Sequence, residues 1–322
     1  MLNRSLKPIL GIAVAAMSVS TMPLFASCGA ASCTLNTDWS AQGVWTQAGS
    51  RLDLRYEYID QDQVLSGDDA EDPALAHHQE HGTLNQNLLA AYDYTFNDTY
   101  GLSVAAPLVS RDHTHFHKNH HNPNQLDAQT WDFTRVGDIR IAGRMQLSSA
   151  LRLQEAFGLT LGLKLPTGEF DVANRQGKLA ERSLQPGTGT TDAIVGAYFR
   201  QQLPSYKSQW FAQTQLLTPL NERDGFRPGQ QLSLDLGLRH TVTPHLHLMT
   251  QLNYNHRSRD SGAEAEPEDS GGSALLLSPG LSYELTQEIQ LYGFLHHRLN
   301  QEVNGNQLSS KNSFVVGLST RL

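Results

Sequence analysis

The chain has 322 residues, of which only 17% are charged and 39% hydrophobic, with a formal net charge of −8 and 14 histidines. The charged share falls well below the roughly 25% of ordinary soluble domains, and the mean hydropathy is −0.40. These values argue against a charge-laced helical protein. They exclude a helical membrane protein too, because no run of about 18 apolar residues occurs after residue 26. An acidic balance also argues against a nucleic-acid partner.

Residues 1–26 read as an export signal. Arg4 and Lys7 make a basic start, residues 8–25 are mostly apolar, and the small residues Ala26 and Ser27 follow. That order describes a secretory signal peptide with cleavage after Ala26. An amino-terminal anchor helix is the alternative, and Pro23 breaks it. A lipid-modified Cys28 is a further option, since Leu24-Phe25-Ala26-Ser27 imperfectly matches a lipoprotein signal. Residues 27–49 read as a periplasmic segment carrying both cysteines, Cys28 and Cys33. In an oxidising compartment these form a local disulfide; a thiolate pair for a soft metal is the alternative.

From residue 50 the dominant period is two, the mark of strands with one apolar face. Leu232, Leu234, Leu236 and Leu238 alternate with Ser233, Asp235, Gly237 and Arg239. Leu159, Leu161, Leu163 and Leu165 alternate with Gly158, Thr160, Gly162 and Lys164. Twelve strands are expected, near 50–59, 83–96, 99–109, 132–148, 156–166, 190–203, 208–219, 230–242, 246–257, 273–285, 289–300 and 312–322. Short connections alternate strictly with long ones at 60–82, 110–131, 167–189, 220–229, 258–272 and 301–311. Short periplasmic turns opposite long extracellular loops describe an antiparallel transmembrane β-barrel. Strands of this length suit a tilted crossing of a bilayer. The expected class is therefore all-β, with residues 50–322 forming a barrel in the bacterial outer membrane. Its partners are membrane lipid, the barrel-assembly machinery that reads the last strand, and a small-molecule solute.

The competing class is a soluble sandwich or periplasmic barrel, with the apolar face inside. With the apolar face outward, the inner face carries ten basic and seven acidic residues, among them Arg55, Glu57, Asp138, Arg140, Arg144, Lys164, Arg200, Asp235, Arg239 and Arg298. A dry core would not hold that load, because each unpaired buried charge costs several kcal/mol. A wet lumen satisfies it. Mutual neutralisation is one expectation for these charges; a basic constriction that favours anions is the sharper one.

Three segments resemble a known family: Val136-Gly137-Asp138-Ile139-Arg140 running into Gly143-Arg144; Leu161-Gly162-Leu163-Lys164-Leu165-Pro166-Thr167-Gly168; and Leu184-Gln185-Pro186-Gly187-Thr188-Gly189. They look like the outer-membrane barrel family named for a phenol meta-cleavage degradation pathway, over about residues 80–322. The resemblance implies a barrel and uptake of small aromatic or hydrophobic compounds, without naming a substrate.

Eight histidines cluster in two long loops: His77, His78 and His81, then His113, His115, His117, His120 and His121. Alternate imidazoles on an extended segment share one face, and neutral imidazole suits Zn or Cu. With the acidic residues of 60–82 they form a candidate divalent-metal site at the mouth; a hydrophilic surface loop is the plainer reading. Histidine also titrates between pH 5 and 8, so a pH-sensitive loop is a variant. No other cofactor is expected. His256-Arg257-Ser258 has the spacing of an outer-membrane phospholipase pair, but no third orienting group follows. The chain is therefore expected to be a non-enzymatic channel or facilitator working by passive diffusion. A surface metal-binding or metal-responsive barrel is the alternative, and a structural or adhesive barrel the third reading.

Overall fold

In the strands of the wall, side chains alternate between the two faces and both backbone edges are paired with neighbouring strands. The structure is a computed structural model that describes residues 36–39, 42, 47–70, 79–118, 126–148 and 154–322. Among them lie β1 (Gly49–Gln61), β2 (Gln63–Ser66), β3 (Asp69–Ala70), β4 (Gln79–Thr95), β5 (Tyr100–Lys118), β6 (Leu126–Val136), β7 (Ile139–Ser148) and β8 (Glu155–Leu165). There follow β9 (Asp192–Leu203), β10 (Ser208–Pro219), β11 (Gln231–Thr241), β12 (Leu246–Arg257), β13 (Gly272–Glu284), β14 (Ile289–Val303), β15 (Asn306–Ser309) and β16 (Asn312–Arg321).

Each wall strand pairs antiparallel with its sequence neighbour, and β1 closes the ring on β16, from Arg51 opposite Arg321 to Ile59 opposite Ser313. β6 and β7 both pair with β5, so they form one wall strand interrupted at Gly137 and Asp138. With β2, β3 and β15 set apart in a small sheet, the wall is a closed barrel of twelve strands. Closure removes every free edge, the requirement for crossing lipid with strands. No helix among the described residues is long and apolar enough to cross a membrane.

The outward face is apolar and bare. Leu161 is 59% exposed and Leu236 51%, an arrangement that lipid stabilises and water would not. Tyr94, Phe96, Tyr100 and Tyr283 stand exposed beside the short turns, where an aromatic girdle belongs.

The apolar belt ends before the wall does. Outward Leu88 faces Leu108, but the next outward pair is Gln86 with Ser110. Beyond it Ser110 faces Thr134, Asp112 faces Asp132 and Thr114 faces Thr130. The wall therefore projects past the bilayer by most of the stretch from Val109 to Lys118, roughly 30 Å of strand at about 3.3 Å per residue. This corrects the expectation of loops at 60–82 and 110–131. β4 already begins at Gln79, β5 runs to Lys118, β6 begins at Leu126, and 60–82 contains β2 and β3. The outward face is polar in the projecting wall and the inward face mixes His113 and His115 with Trp131 and Phe133, so no apolar period marks it, although backbone pairing continues. Likewise β14 extends to Val303, and β15 lies within the expected loop 301–311.

The outer mouth carries its own small core. Val64 of β2, Leu308 of β15, Trp131 and Phe133 of β6, and Val172, Ala180 and Leu184 of the loop after β8 form one buried cluster. These residues come from widely separated points on the ring, so the cluster is a cap across the opening.

Candidate functional site

The three family-like segments meet where the wall is interrupted. Asp138 accepts the Gly168 N–H at 3.0 Å on one oxygen. Its other oxygen accepts the Thr188 N–H at 3.0 Å and hydroxyl at 3.1 Å. Lys164 Nζ bridges Asp138 at 3.1 Å and Asp192 at 2.9 Å, and Thr190 donates to Asp192 at 2.7 Å. Gly187 presses on this knot so closely that a Cβ there would meet the Gly168 carbonyl oxygen at 2.6 Å. Gln185 then bonds the loop internally, accepting the Val172 N–H and donating to the Val172 and Ala180 carbonyls. Asp138 and Lys164 thus tie the cap loop to the wall, and their charges are consumed in doing so.

The segment before β1 does not stay outside the barrel. Residues 27–49 were expected in the periplasm; of the described part of that segment, 36–39 and 42 lie within the lumen, while 47–49 lead into β1. Asn36 donates through its amide to Gln213 at 2.7 Å and Asp235 at 3.0 Å, and its backbone N–H donates to Gln251. Gln251 and Gln42 donate to the Asn36 carbonyl in return. Arg55 donates to the Thr37 hydroxyl at 2.9 Å. The Trp39 indole N–H donates to Asp53, which also accepts the Tyr292 hydroxyl at 2.8 Å. Trp39 is fully buried, edge-on to Tyr292 at 4.9 Å. It packs in a cluster with Met249, Phe294 and Val315. The physical reason is an apolar island on the otherwise polar inner face: Met249 sits between His247 and Gln251, and Tyr292 and Phe294 between Gln290 and His296. Without a cover that island would face water, and Trp39 covers it. The available signals were an isolated tryptophan in a polar stretch and aromatic residues on the wrong face of β14.

Above and beside this plug lies a cavity of about 270 Å³. It is lined by Asn36 to Asp38 of the plug, by Arg51, Asp53, Arg55 and Asp93, and by Arg140 and Arg144 of β7; the apolar Leu89, Ala105, Ile194 and Leu217 complete it. Its carboxylates are largely engaged. Arg51 pairs with Asp93; Asp53 holds Trp39 and Tyr292; Asp235 accepts Asn36 and, at 2.8 Å, Asn253. Arg55 pairs with Glu57 at 2.8 Å, and Asn87 donates to Glu57. Arg200 donates to Gln146 at 3.0 Å. The remaining expected lumen residues stand nearer the ends. Arg239 pairs with Glu284 at 3.0 Å, beside His247 at the short-turn end. Arg298 bonds Gln63 and Ser309 under the cap.

The histidine clusters fall mostly outside the described residues. The positions of His77, His78, His120 and His121, and the side chains of His81 and His117, are not described. Cys28 and Cys33 also lie outside. His113 and His115 are described, on the inward face of the projecting wall rather than in a surface loop, and both are buried. His113 Nδ1 lies 2.9 Å from the Thr83 hydroxyl, with the ring 5.6 Å from Trp131. Burial, helped by neighbouring His115, lowers its pKa to about 3. Among the described residues no group of three metal-ligating side chains converges. His256 lies on the exposed face of β12, while the Ser258 hydroxyl accepts the Gln230 N–H at 2.9 Å. No hydrogen bond between His256 and Ser258 is present among the described residues.

The knot at Asp138 is built from the same segments that carried the family resemblance. A family described as "Putative MetA-pathway of phenol degradation" matches residues 68–314. The chain belongs to this family. In three dimensions it is similar to the COG4313 outer membrane channel from Pseudomonas putida F1, with a TM-score of 0.66 and 13% identity, covering 86% of this chain and 97% of that one. It is also similar, more distantly, to the NanC porin, with a TM-score of 0.47 and 11% identity over 84% of this chain and 100% of that one. A third similar structure is the CymD monoaromatic hydrocarbon channel, with a TM-score of 0.43 and 8% identity over 89% and 94%. No curated protein matches. The family member thus has the fold of outer-membrane barrels.

Proposed function

We propose that this barrel is a non-enzymatic outer-membrane facilitator that passes small molecules by passive diffusion through its charged lumen. A cleaved signal at residues 1–26 exports the chain, and the assembly machinery inserts it. One observation carries the reading: the closed wall encloses a cavity lined by charged side chains, whose lower stopper is a separate chain segment rather than part of the wall. A stopper held by side chains can leave without unfolding the barrel. The plug adds the gating element, and the cap sets where solute enters. The phenol-pathway family and the channel-named relatives agree with transport of small organic compounds. Purified protein in planar bilayers is expected to give discrete current steps in KCl, with long closed intervals. Complete absence of current from correctly folded protein would overturn the proposal.

A further inference from the structure

The cavity holds two cationic groups with no direct carboxylate partner among the described residues, although Asp192, Asp138 and Glu57 act on Arg140 at longer range. Arg140 and Arg144 project inward from β7, four residues and roughly 13 Å of strand apart on the same face, and both line the cavity. Arg144 makes one long contact, donating to Thr95 at 3.4 Å. Arg140 stands exposed to the cavity and forms no ion pair or hydrogen bond among the described residues. The nearby acids hold other partners: Asp93 holds Arg51, Asp53 holds Trp39 and Tyr292, Asp235 holds Asn36 and Asn253, Asp138 and Asp192 hold Lys164, and Asp38 acts on Arg200. The equal tally of charges around the cavity therefore conceals an unequal tally of free donors and acceptors. Guanidinium forks match carboxylates in a bidentate fashion. The same cavity offers Leu89, Ala91, Ala105, Ile194 and Leu217 to an apolar body.

We propose that Arg140 and Arg144 form a recognition site for a small organic carboxylate with an apolar body, seated in this cavity above the plug. This rests on the facilitator reading and names its substrate class. The two guanidiniums hold the carboxylate within the lumen, and the apolar wall separates organic acids from inorganic anions. Cations are disfavoured because the two guanidiniums present positive charge to the cavity, while its carboxylates already hold other partners.

The test uses the full mature chain in planar bilayers with three probes: benzoate, benzylammonium and inorganic phosphate. KCl current reports the channel, and interruption of that current by a probe reports the site. Benzoate is expected to interrupt current at a concentration at least about ten-fold below that needed by benzylammonium or phosphate, the scale set by hydrogen bonds to a charged group. In R140Q combined with R144Q the benzoate-to-benzylammonium ratio is expected to collapse toward one, and R140K is expected to restore part of it. If KCl passes but benzoate shows no advantage over benzylammonium, the carboxylate site is refuted while the channel stands. Phosphate matching benzoate refutes the apolar part. Retention of the ratio in the double variant refutes the assignment to these residues. Absence of any KCl current refutes the channel and the site together.

Discussion

The barrel is stopped at two levels by devices of different construction. The outer cap is knotted into the wall: Asp138 receives three protein N–H or O–H donors plus Lys164, and glycine backbones stack where no side chain fits. The inner plug leans on the wall through amide hydrogen bonds and one tryptophan seated on an apolar island. The cap loop is bonded to the strand interruption at both of its ends; the described plug continues into the barrel only at β1. The difference teaches that the outer closure is built into the wall, whereas the inner one rests against it through side chains. Removing a knot residue should unfold something; removing a plug residue should open something.

The largest effect is expected at Lys164, which is only 4% exposed and bridges two carboxylates. Lys164→Met leaves Asp138 and Asp192 buried and uncompensated, at a cost of about 3–5 kcal/mol. The barrel should lose heat-modifiable electrophoretic mobility at a clearly lower temperature. Trp39→Ala should instead leave that mobility unchanged and remove roughly 3 kcal/mol of packing from the plug. That shifts the closed-to-open ratio by about two decades, read as open probability in single-channel records. Equal thermal damage from both variants would erase the distinction between knot and plug. A milder probe of the knot is Gly187→Ala, whose methyl meets the Gly168 carbonyl and the Asp138 carboxylate. Overpacking of this kind costs about 1–3 kcal/mol and should appear as faster proteolysis within residues 166–190, with the plug still seated.

The same contrast explains what could be read from the sequence. The wall was legible because lipid on one side and water on the other force opposite chemistry onto alternate residues, as in Leu232 to Arg239. The strand ends beyond Leu108 were not, because Ser110, Asp112 and Thr114 face water outside while the inward side mixes His113 and His115 with Trp131 and Phe133. The polar face was legible as a list: Arg55, Lys164 and Asp235 alternate with outward apolar residues and are buried. Their assignments were not, because pairing depends on which strands are neighbours around the ring. Asp138 was expected to line a pore and instead anchors a loop. The plug left almost no trace, since Trp39 sits in a stretch without period, and its partners Met249 and Tyr292 come from strands more than 200 residues away.

The smallest effect is expected from acid, and it separates the two closures by a different route. His113 lies behind Trp131, whose indole donates to the Lys178 carbonyl of the cap loop. Its pKa is lowered from 6.5 to about 3, first by burial and then by His115. Above pH 6.5 the imidazole is neutral whether the projecting wall is folded or open. Between 6.5 and about 3 the open form takes up a proton that the folded form refuses, so the folded form loses stability as pH falls. The outer wall and cap should therefore loosen under mild acid, whereas the plug contacts at Asn36, Trp39 and Tyr292 involve no histidine. Hydrogen exchange at pH 7 and pH 5, corrected for intrinsic rates, should show protection lost in 109–118 and 126–136 but kept in the membrane-spanning part of β12. His113→Gln should flatten that dependence. Equal acid sensitivity in the variant would move the effect to another group, and simultaneous loss of the plug would show that the two closures are coupled.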